Sequence, residues 1–282
     1  MPELPEVETM RRGVAAVTGS RIVRVERPAC RKRPIAISPR IDVLNRRAEG
    51  QQIVSVDRIG KRVVLRLERG DALVIEPRMT GLVLLVGPPT TQHLRLRIQL
   101  SGGSTRELLF WDRRGLGTVR LLMAREFDAF YGPDRMGPDA LVIDLKTLQS
   151  RLHRSRRAIK VALLDQRALA GIGNLYASEI LHRAMIDPRR RCTGLNRGEW
   201  QRLHDAIREV LESAVQCEGS TLADGTYRNA LNEAGGYQNH HRVYDRANEL
   251  CLSCGEGVIT RIVQAQRSTF YCRICQRRTA AR

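Results

Sequence analysis

Four cysteines near the end of the chain constrain its fold more tightly than any other feature. Cys251-x2-Cys254 is followed, after seventeen residues, by Cys272-x2-Cys275. Each CxxC pair sets two thiolates on one tight knuckle, and two knuckles together close a tetrahedral site. The spacing therefore predicts a zinc ribbon holding one structural Zn2+. Between the knuckles, 258–263 and 269–271 read as the two strands of a hairpin. Disulfide pairing is the rival. It fits poorly with an N-terminus that lacks the basic and apolar run of a secretory signal. Cys30, Cys192 and Cys217 have no partner spacing and read as ordinary thiols. Arg261, Arg267, Arg273, Arg277 and Arg278 surround the ribbon. A stapled hairpin with a basic tip suits a nucleic-acid groove, although the same charges suit a solvated scaffold.

Upstream, the period of the apolar residues changes along the chain. Val7, Met10, Val14 and Val17 recur at helical spacing over 5–17, with Gly19 as the stop. From Arg21 the period falls to two. Segments at 22–25, 53–56, 63–67, 72–75, 82–86, 94–100, 107–111 and 118–122 read as short strands. Arg69-Gly70-Asp71 and Gly102-Gly103 are hairpin turns between them. Such a series predicts a β-sandwich or flattened barrel on which the first helix packs. Gly132-Pro133 and Gly137-Pro138 bracket a change of texture. Beyond them helices are expected over 144–152, 158–166, 175–183 and 199–217, the last opened by a capping box of Asn196 and Glu199. Gly171-Ile172-Gly173-Asn174 leads into the third of these helices. Two glycines there leave backbone N–H groups able to hold a phosphate, and a ligand-free helix–turn–helix explains them equally well. Residues 219–239 are polar, glycine-rich and aperiodic, which predicts a mobile loop. The fold class is α+β. Its expected domains are 1–135 (helix and β-sandwich), 136–245 (helical) and 246–282 (zinc module).

The chain carries 48 basic and 30 acidic residues, a formal charge of +18. A polyanion is the partner such an excess implies, because many cationic contacts displace counterions from nucleic acid; a generally basic surface is the plainer alternative. The lysines are few: Lys32, Lys61, Lys146 and Lys160. Lysine can lose its proton in chemistry whereas arginine effectively cannot, which makes Lys61 a candidate. No apolar run is long enough to span a bilayer, so no membrane partner and a cytoplasmic location are expected. Nothing suggests a self-complementary interface, so a monomer is expected.

The chain opens Met1-Pro2-Glu3-Leu4-Pro5-Glu6. Pro2 is small enough to permit removal of Met1, which would leave a secondary amine beside a carboxyl group. Such an amine adds to an aldehyde-level carbon to give a permanently cationic iminium, and the carboxyl can shuttle protons. The plainer reading is a helix start, which favours proline in its first turn and acids near its dipole.

Together these parts resemble the formamidopyrimidine-DNA glycosylase family of bacterial base-excision-repair enzymes. Four anchors carry the likeness: the opening Pro2-Glu3-Leu4-Pro5-Glu6-Val7-Glu8-Thr9; Lys61 after Gly60 at the head of a strand; Gly171-Ile172-Gly173-Asn174-Leu175-Tyr176-Ala177-Ser178-Glu179, similar to the family's helix–two-turn–helix; and the four cysteines with the run Ala265 to Cys272. The resemblance implies a bifunctional DNA glycosylase/AP lyase acting on double-stranded DNA with an oxidised purine or an abasic site. Pro2 would attack C1′ and Glu3 would protonate the opening sugar or the departing group. The resulting Schiff base then breaks the strand by β- and δ-elimination. Lys61 would assist proton transfer and hold a phosphate, Asn174 and Arg267 would hold phosphates flanking the lesion, and Glu6 would support the site.

Chemistry at C1′ requires the nucleotide to be flipped out of the stack. The family fills the gap with a Met, an Arg and an aromatic, which fall here on Met79, Arg114 and Leu116. Leu116 departs from the usual Phe, and Gly115 from a second Arg. Residues 75–81 depart from the common wording around the Met, and the zinc loop is one residue longer. His93 aligns with a DNA-contacting histidine, and Tyr237 lies where the family caps an everted purine. Two alternatives remain: an endonuclease VIII-like enzyme for oxidised pyrimidines, and a non-catalytic zinc-ribbon DNA-binding protein. Pro5 with Val7-Glu8-Thr9 resembles the purine branch.

Overall fold

The computed structural model describes residues 2–222 and 225–277; Met1, Ala223 of the polar loop and Arg278 beside the ribbon lie outside them. Two compact units are formed, Met1–Gly132 with Val215–Gln238, and Pro133–Ala214 with Asn239–Arg282.

The first unit opens on helix α1 (Leu4–Gly13). Leu4, Val7 and Met10 share its inner face and are fully buried, each contributing about 1.5–3 kcal/mol relative to exposure. The helix ends earlier than its apolar spacing suggests. Gly13 is a poor helix former, and Ala15–Val17 closes as a 3-10 turn that still buries Val17. The chain continues through β1 (Arg21–Glu26), β2 (Ala36–Ser38), α2 (Ile41–Ala48), β3 (Ile53–Ile59), β4 (Arg62–Leu67), β5 (Ala72–Glu76), β6 (Gly81–Leu84), β7 (Leu94–Ser101), β8 (Glu107–Asp112), β9 (Thr118–Leu122) and α3 (Ala124–Tyr131). One sheet runs β1-β7-β8-β6 and the other β2-β9-β5-β4-β3. Their pairings are antiparallel except for β2 with β9. Val25 and Ile98 from the first sheet and Val63 and Ile75 from the second belong to one core with α1. β2, α2 and α3 have no counterpart among the expected elements. β2 is a three-residue edge strand and too short to show a period.

The segment Val215–Gln238 completes this unit. Its glycine-rich wording suggests a mobile loop, but its described part is packed. Tyr227 and Ala230 enter the core, and the Asn229 carboxamide oxygen accepts the N–H groups of Leu231 (3.0 Å) and Glu233 (2.9 Å). Polar side chains satisfying backbone groups replace the regular ladder here.

The second unit holds α4 (Leu145–Leu152), α5 (Ile159–Leu163), α6 (Asn174–Arg183), all but the last two residues of α7 (Arg197–Gln216), β10 (Ile259–Gln264) and β11 (Arg267–Cys272). The capping box of α7 is present: the Asn196 N–H donates to Glu199 Oε2 at 2.8 Å and the Glu199 N–H to Asn196 Oδ1 at 2.9 Å. β10 and β11 pair antiparallel up to Gln264 and Arg267. The two residues between, Ala265 (φ 46) and Gln266 (φ 60), are both left-handed, as a type I′ hairpin turn requires.

Candidate functional site

In the first unit Pro2 and Glu3 are buried at the head of α1. The Glu6 carboxylate holds them there. Its Oε2 accepts the Glu3 backbone N–H at 2.8 Å, and its Oε1 accepts the Ser220 N–H at 2.8 Å. Glu6 thus ties the terminus to the 215–238 segment. Nearby the Tyr227 hydroxyl donates to the Glu218 carbonyl at 2.9 Å. Burial first, then the Glu6 charge, push this phenol well above its ordinary range. Tyr237 lies in the same segment, 4% exposed, and its N–H donates to the Gly219 carbonyl at 2.9 Å.

Lys61 is in a turn and not at the head of a strand. Ile59 pairs with Arg62, so Gly60-Lys61 forms a two-residue hairpin loop. Gly60 has φ 54, the sign that a type II′ turn needs at its first central residue and that glycine alone adopts without strain. The lysine side chain is half-buried.

Met79, Arg114 and Leu116 come from two turns that share one buried acid. Asp112, fully buried at the end of β8, accepts the Thr80 hydroxyl on one oxygen and the Gly117 N–H at 2.8 Å on the other. The Arg114 N–H donates to Thr80 Oγ1 at 3.0 Å and to Asp112 Oδ1 at 3.2 Å. The turn that carries Met79 is closed by the Gly81 N–H on the Pro77 carbonyl at 2.9 Å. Met79 and Leu116 are half-buried and Arg114 is exposed. Gly115 has φ 63, and a Cβ there would meet the Arg33 carbonyl oxygen at 2.4 Å. This chain therefore has no room for a second arginine at that position. His93 packs edge-on against Trp111 at 5.5 Å. Its burial, followed by the charges of Arg95, Lys32 and Arg113, favours the neutral ring.

In the second unit Asn174 is the first residue of α6, at the positive end of the helix dipole. Its side-chain N–H donates to the Ser268 carbonyl at 3.0 Å, and Lys160 Nζ donates to the same carbonyl at 2.9 Å and to Thr269 Oγ1 at 2.8 Å. Lys160 is 1% exposed; its ammonium is a buried clamp on β11. Arg267, the residue before Ser268, is exposed at the hairpin tip. The structure thus joins Asn174 to the Arg267 hairpin. Lys160 was legible only as one lysine in a chain of few.

The sulfurs of Cys251, Cys254, Cys272 and Cys275 all lie within 4.8 Å of one another. Cys251 and Cys275 are 3.8 Å apart, as are Cys254 and Cys272. A tetrahedron with metal–sulfur bonds of about 2.3 Å has edges near that length, whereas a disulfide brings sulfurs to about 2 Å. The donor set therefore fits a metal ion. The Gly257 N–H points at Cys254 Sγ at 3.3 Å. That contact leads the causes that bring this thiol down to about 6. His182 Nε2 is 3.5 Å from Cys251 Sγ, and Glu179, on the same helix, accepts the backbone N–H groups of Arg242, Val243 and Tyr244 at 2.7–3.0 Å. Helix α6 thus carries Asn174 at one end and braces the cysteine cluster further along. Among the described residues no helix is long and apolar enough to cross a membrane.

Residues 1–119 match the family model for the formamidopyrimidine-DNA glycosylase N-terminal domain, and 136–225 match that for the H2TH domain of the same glycosylases. A formamidopyrimidine-DNA glycosylase of Solibacter usitatus is 37% identical over 278 residues, covering 99% of this chain and 100% of that protein. The Thermus thermophilus protein of that name is 40% identical, with 98% of each chain covered. Its crystal structure matches with a TM-score of 0.84 at 38% identity, again over 98% of each chain. The Lactococcus lactis protein in complex with abasic-site DNA matches at 0.85 with 29% identity, over 98% of this chain and 100% of that one. The chain belongs to the formamidopyrimidine-DNA glycosylase family.

Proposed function

We propose that the protein is a bifunctional DNA glycosylase/AP lyase of base excision repair that removes oxidised purines, 8-oxoguanine and formamidopyrimidines, from double-stranded DNA. The observation that carries this reading is the Glu6 bracket. A carboxylate only 2% exposed accepts two backbone N–H groups, one of them that of Glu3, next to Pro2. A simple helix start needs no second strut from residue 220. A nucleophile that must meet one sugar carbon does, because misplacement by an ångström lowers rate steeply.

In the first step the Pro2 amine forms a bond to C1′ and the base departs with its bonding electrons. Glu3 supplies a proton to the opening sugar oxygen or the leaving group. The cationic Schiff base acidifies the C2′ proton, whose removal drives β-elimination of the 3′ phosphate; δ-elimination releases the 5′ phosphate. Lys61 serves proton transfer and binds a phosphate oxygen. Met79, Arg114 and Leu116 fill the vacated stack, with Arg114 facing the orphaned base and Leu116 acting as an apolar wedge. Asn174 and Arg267 hold phosphates, and His93 adds a backbone contact. Tyr237 belongs to the segment that would cover an everted purine. The four cysteines bind one Zn2+, which holds the hairpin and takes no part in the reaction. The division of labour is a catalytic part at 1–135, a helical part at 136–245 and a zinc module at 246–282. The enzyme acts as a monomer on the chromosome of a bacterial cytoplasm.

Borohydride reduction in the presence of abasic-site DNA tests the nucleophile. The wild-type protein should form a covalent adduct, and Pro2→Gly should slow lesion removal by orders of magnitude while DNA binding survives. Equal trapping by Pro2 variants, or none by the intact protein, would remove Pro2 from the mechanism and favour a DNA-binding role. An oxidised-pyrimidine specificity is a second reading, since a Lactococcus lactis relative at 30% identity is solved with oxidised-pyrimidine DNA. Cleavage of thymine glycol opposite A at a rate equal to or above that of 8-oxoguanine opposite C would establish it.

A further inference from the structure

Lys61 occupies the second position of a two-residue turn, so the orientation of that turn sets where its side chain starts. The turn is held by a guanidinium fork. Arg58 Nη1 donates to the Gly60 carbonyl at 2.9 Å, and Arg58 Nε donates to Glu8 Oε2 at 3.0 Å. Both side chains are 8% exposed. The Gly60 carbonyl lies in the same planar peptide unit as the Lys61 N–H. Holding that oxygen sets the plane, and with it the direction in which the Lys61 side chain leaves the turn. Glu8 is itself fixed: its other oxygen accepts from Arg11 at 2.8 Å and from Arg12 at 2.8 Å. Glu8 stands on α1, the helix that Glu3 caps and Pro2 precedes.

We propose that Glu8 and Arg58 are positioning residues that set the Lys61 ammonium relative to the Pro2 amine, through the Gly60 carbonyl. The inference rests on the reading of Lys61 as the group that assists proton transfer. An ion pair kept only for stability would need one contact between Arg58 and Glu8, and a buried pair of that kind contributes little net stability over an apolar replacement. The second arm of the fork reaches the one carbonyl that orients Lys61. Arginine suits this task because its planar fork offers two donors in fixed directions, whereas a lysine ammonium is a single point.

The test is a cycle of variants, read by single-turnover borohydride trapping on abasic-site DNA and by DNA affinity. Arg58→Lys keeps the buried charge beside Glu8 but cannot span Glu8 and Gly60 together. It should slow trapping by about ten-fold or more, weaken DNA affinity by no more than Lys61→Met does, and add no further loss of either when Lys61→Met is already present. Equal slowing in both backgrounds overturns the proposal, because the pair then acts on the fold and not through Lys61. Trapping by Arg58→Lys at the wild-type rate overturns it too. If Lys61→Met alone traps at the wild-type rate, the role of Lys61 falls and the tether falls with it, a result distinct from either of the others. Should Arg58→Lys lose its circular dichroism signal, Glu8→Gln takes its place in the same cycle, with a smaller expected slowing of about three-fold.

Discussion

Asn174 donates its side-chain N–H to the backbone carbonyl of Ser268 at 3.0 Å, across 94 residues of sequence. The residue that begins α6 is thereby attached to the hairpin whose tip carries Arg267. That hairpin is built on β11, which ends in Cys272, and the cysteine cluster is braced by α6 through His182 and Glu179. Removing the metal should therefore disturb both proposed phosphate ligands at once. Chelation, or Cys272→Ser, should weaken binding to abasic-site DNA by at least about ten-fold, the cost of roughly one charge-assisted hydrogen bond. The near-ultraviolet signal of Trp111 in the first unit should remain. Concurrent loss of that signal would show that the ribbon is needed for the whole fold.

Glu6 serves two N–H groups with two oxygens. In Glu6→Gln one of those N–H groups faces an amide that donates instead of accepting, so a buried donor is left unpaired. Stability should fall by about 1–3 kcal/mol, measured by urea unfolding. Trapping should slow more than binding weakens, since the variant loosens the terminus and not the DNA contacts. Unchanged trapping would separate Glu6 from the placement of Pro2.

Asp112 joins the two turns that carry Met79, Arg114 and Leu116. Asp112→Asn retains one acceptor where Thr80, Arg114 and Gly117 present donors to two. The variant should lose about 1–3 kcal/mol of stability, and it should also lose discrimination for C opposite the lesion as Arg114 is released. Retained discrimination, scored by excision opposite each of the four bases, would show that the turns hold their shape without the acid. In the same turn, Leu116→Phe adds a stacking surface and should tighten binding to lesion DNA severalfold, up to about ten-fold, because base–aromatic stacking is worth about 1–3 kcal/mol. Affinity equal to that of the parent would place Leu116 outside the stack.

Glu8 gives the protein an acid sensitivity of definite sign. Burial alone acts to raise its carboxyl, but hydrogen bonds from Arg11, Arg12 and Arg58 outweigh it and bring the group down to about 2. The folded state therefore holds the proton less tightly than the unfolded chain, whose glutamates titrate near about 4.3. The stabilisation is complete above that value and is lost as pH falls from there towards about 2. Compared by urea unfolding, wild type and Glu8→Gln should differ most at pH 7, and the gap should narrow to roughly half by pH 3. A gap of constant size across that range would mean that the ion pairs do not supply it.

Much of this was legible in the sequence, for reasons that differ from part to part. The sandwich strands announced themselves by period two, and the capping box of α7 by Asn196 and Glu199 at the right interval. The cysteine cluster needed only its spacing. Pro2, Glu3 and Lys61 stood out as candidates by their chemistry, and the family to which the chain belongs was legible in the motifs around them. What escaped was the support. Asp112 looks like an ordinary strand-end acid beside Arg113 and Arg114, and its role depends on a turn more than thirty residues away at Thr80. The Arg58 fork depends on side-chain geometry that no pattern encodes. Residues 219–239 read as a loop because their order comes from irregular hydrogen bonds and two core residues, Tyr227 and Ala230, which leave no period.

The bracket on Glu6 also has a bearing on how the protein is made. One of its struts is Ser220, and the core around α1 includes Tyr227 and Ala230. Chains emerge from the ribosome beginning with the N-terminus, at about 5–20 residues per second. The strut on Glu6 and these two core residues are thus among the last to appear, many seconds after the terminus itself. During that interval the segment at Glu3 and Glu6 lacks its second strut. On the proposed mechanism, the exposure of the Pro2 amine and the assembly of its surroundings are therefore ordered in time by the path of the chain, the surroundings being complete only once synthesis is nearly over.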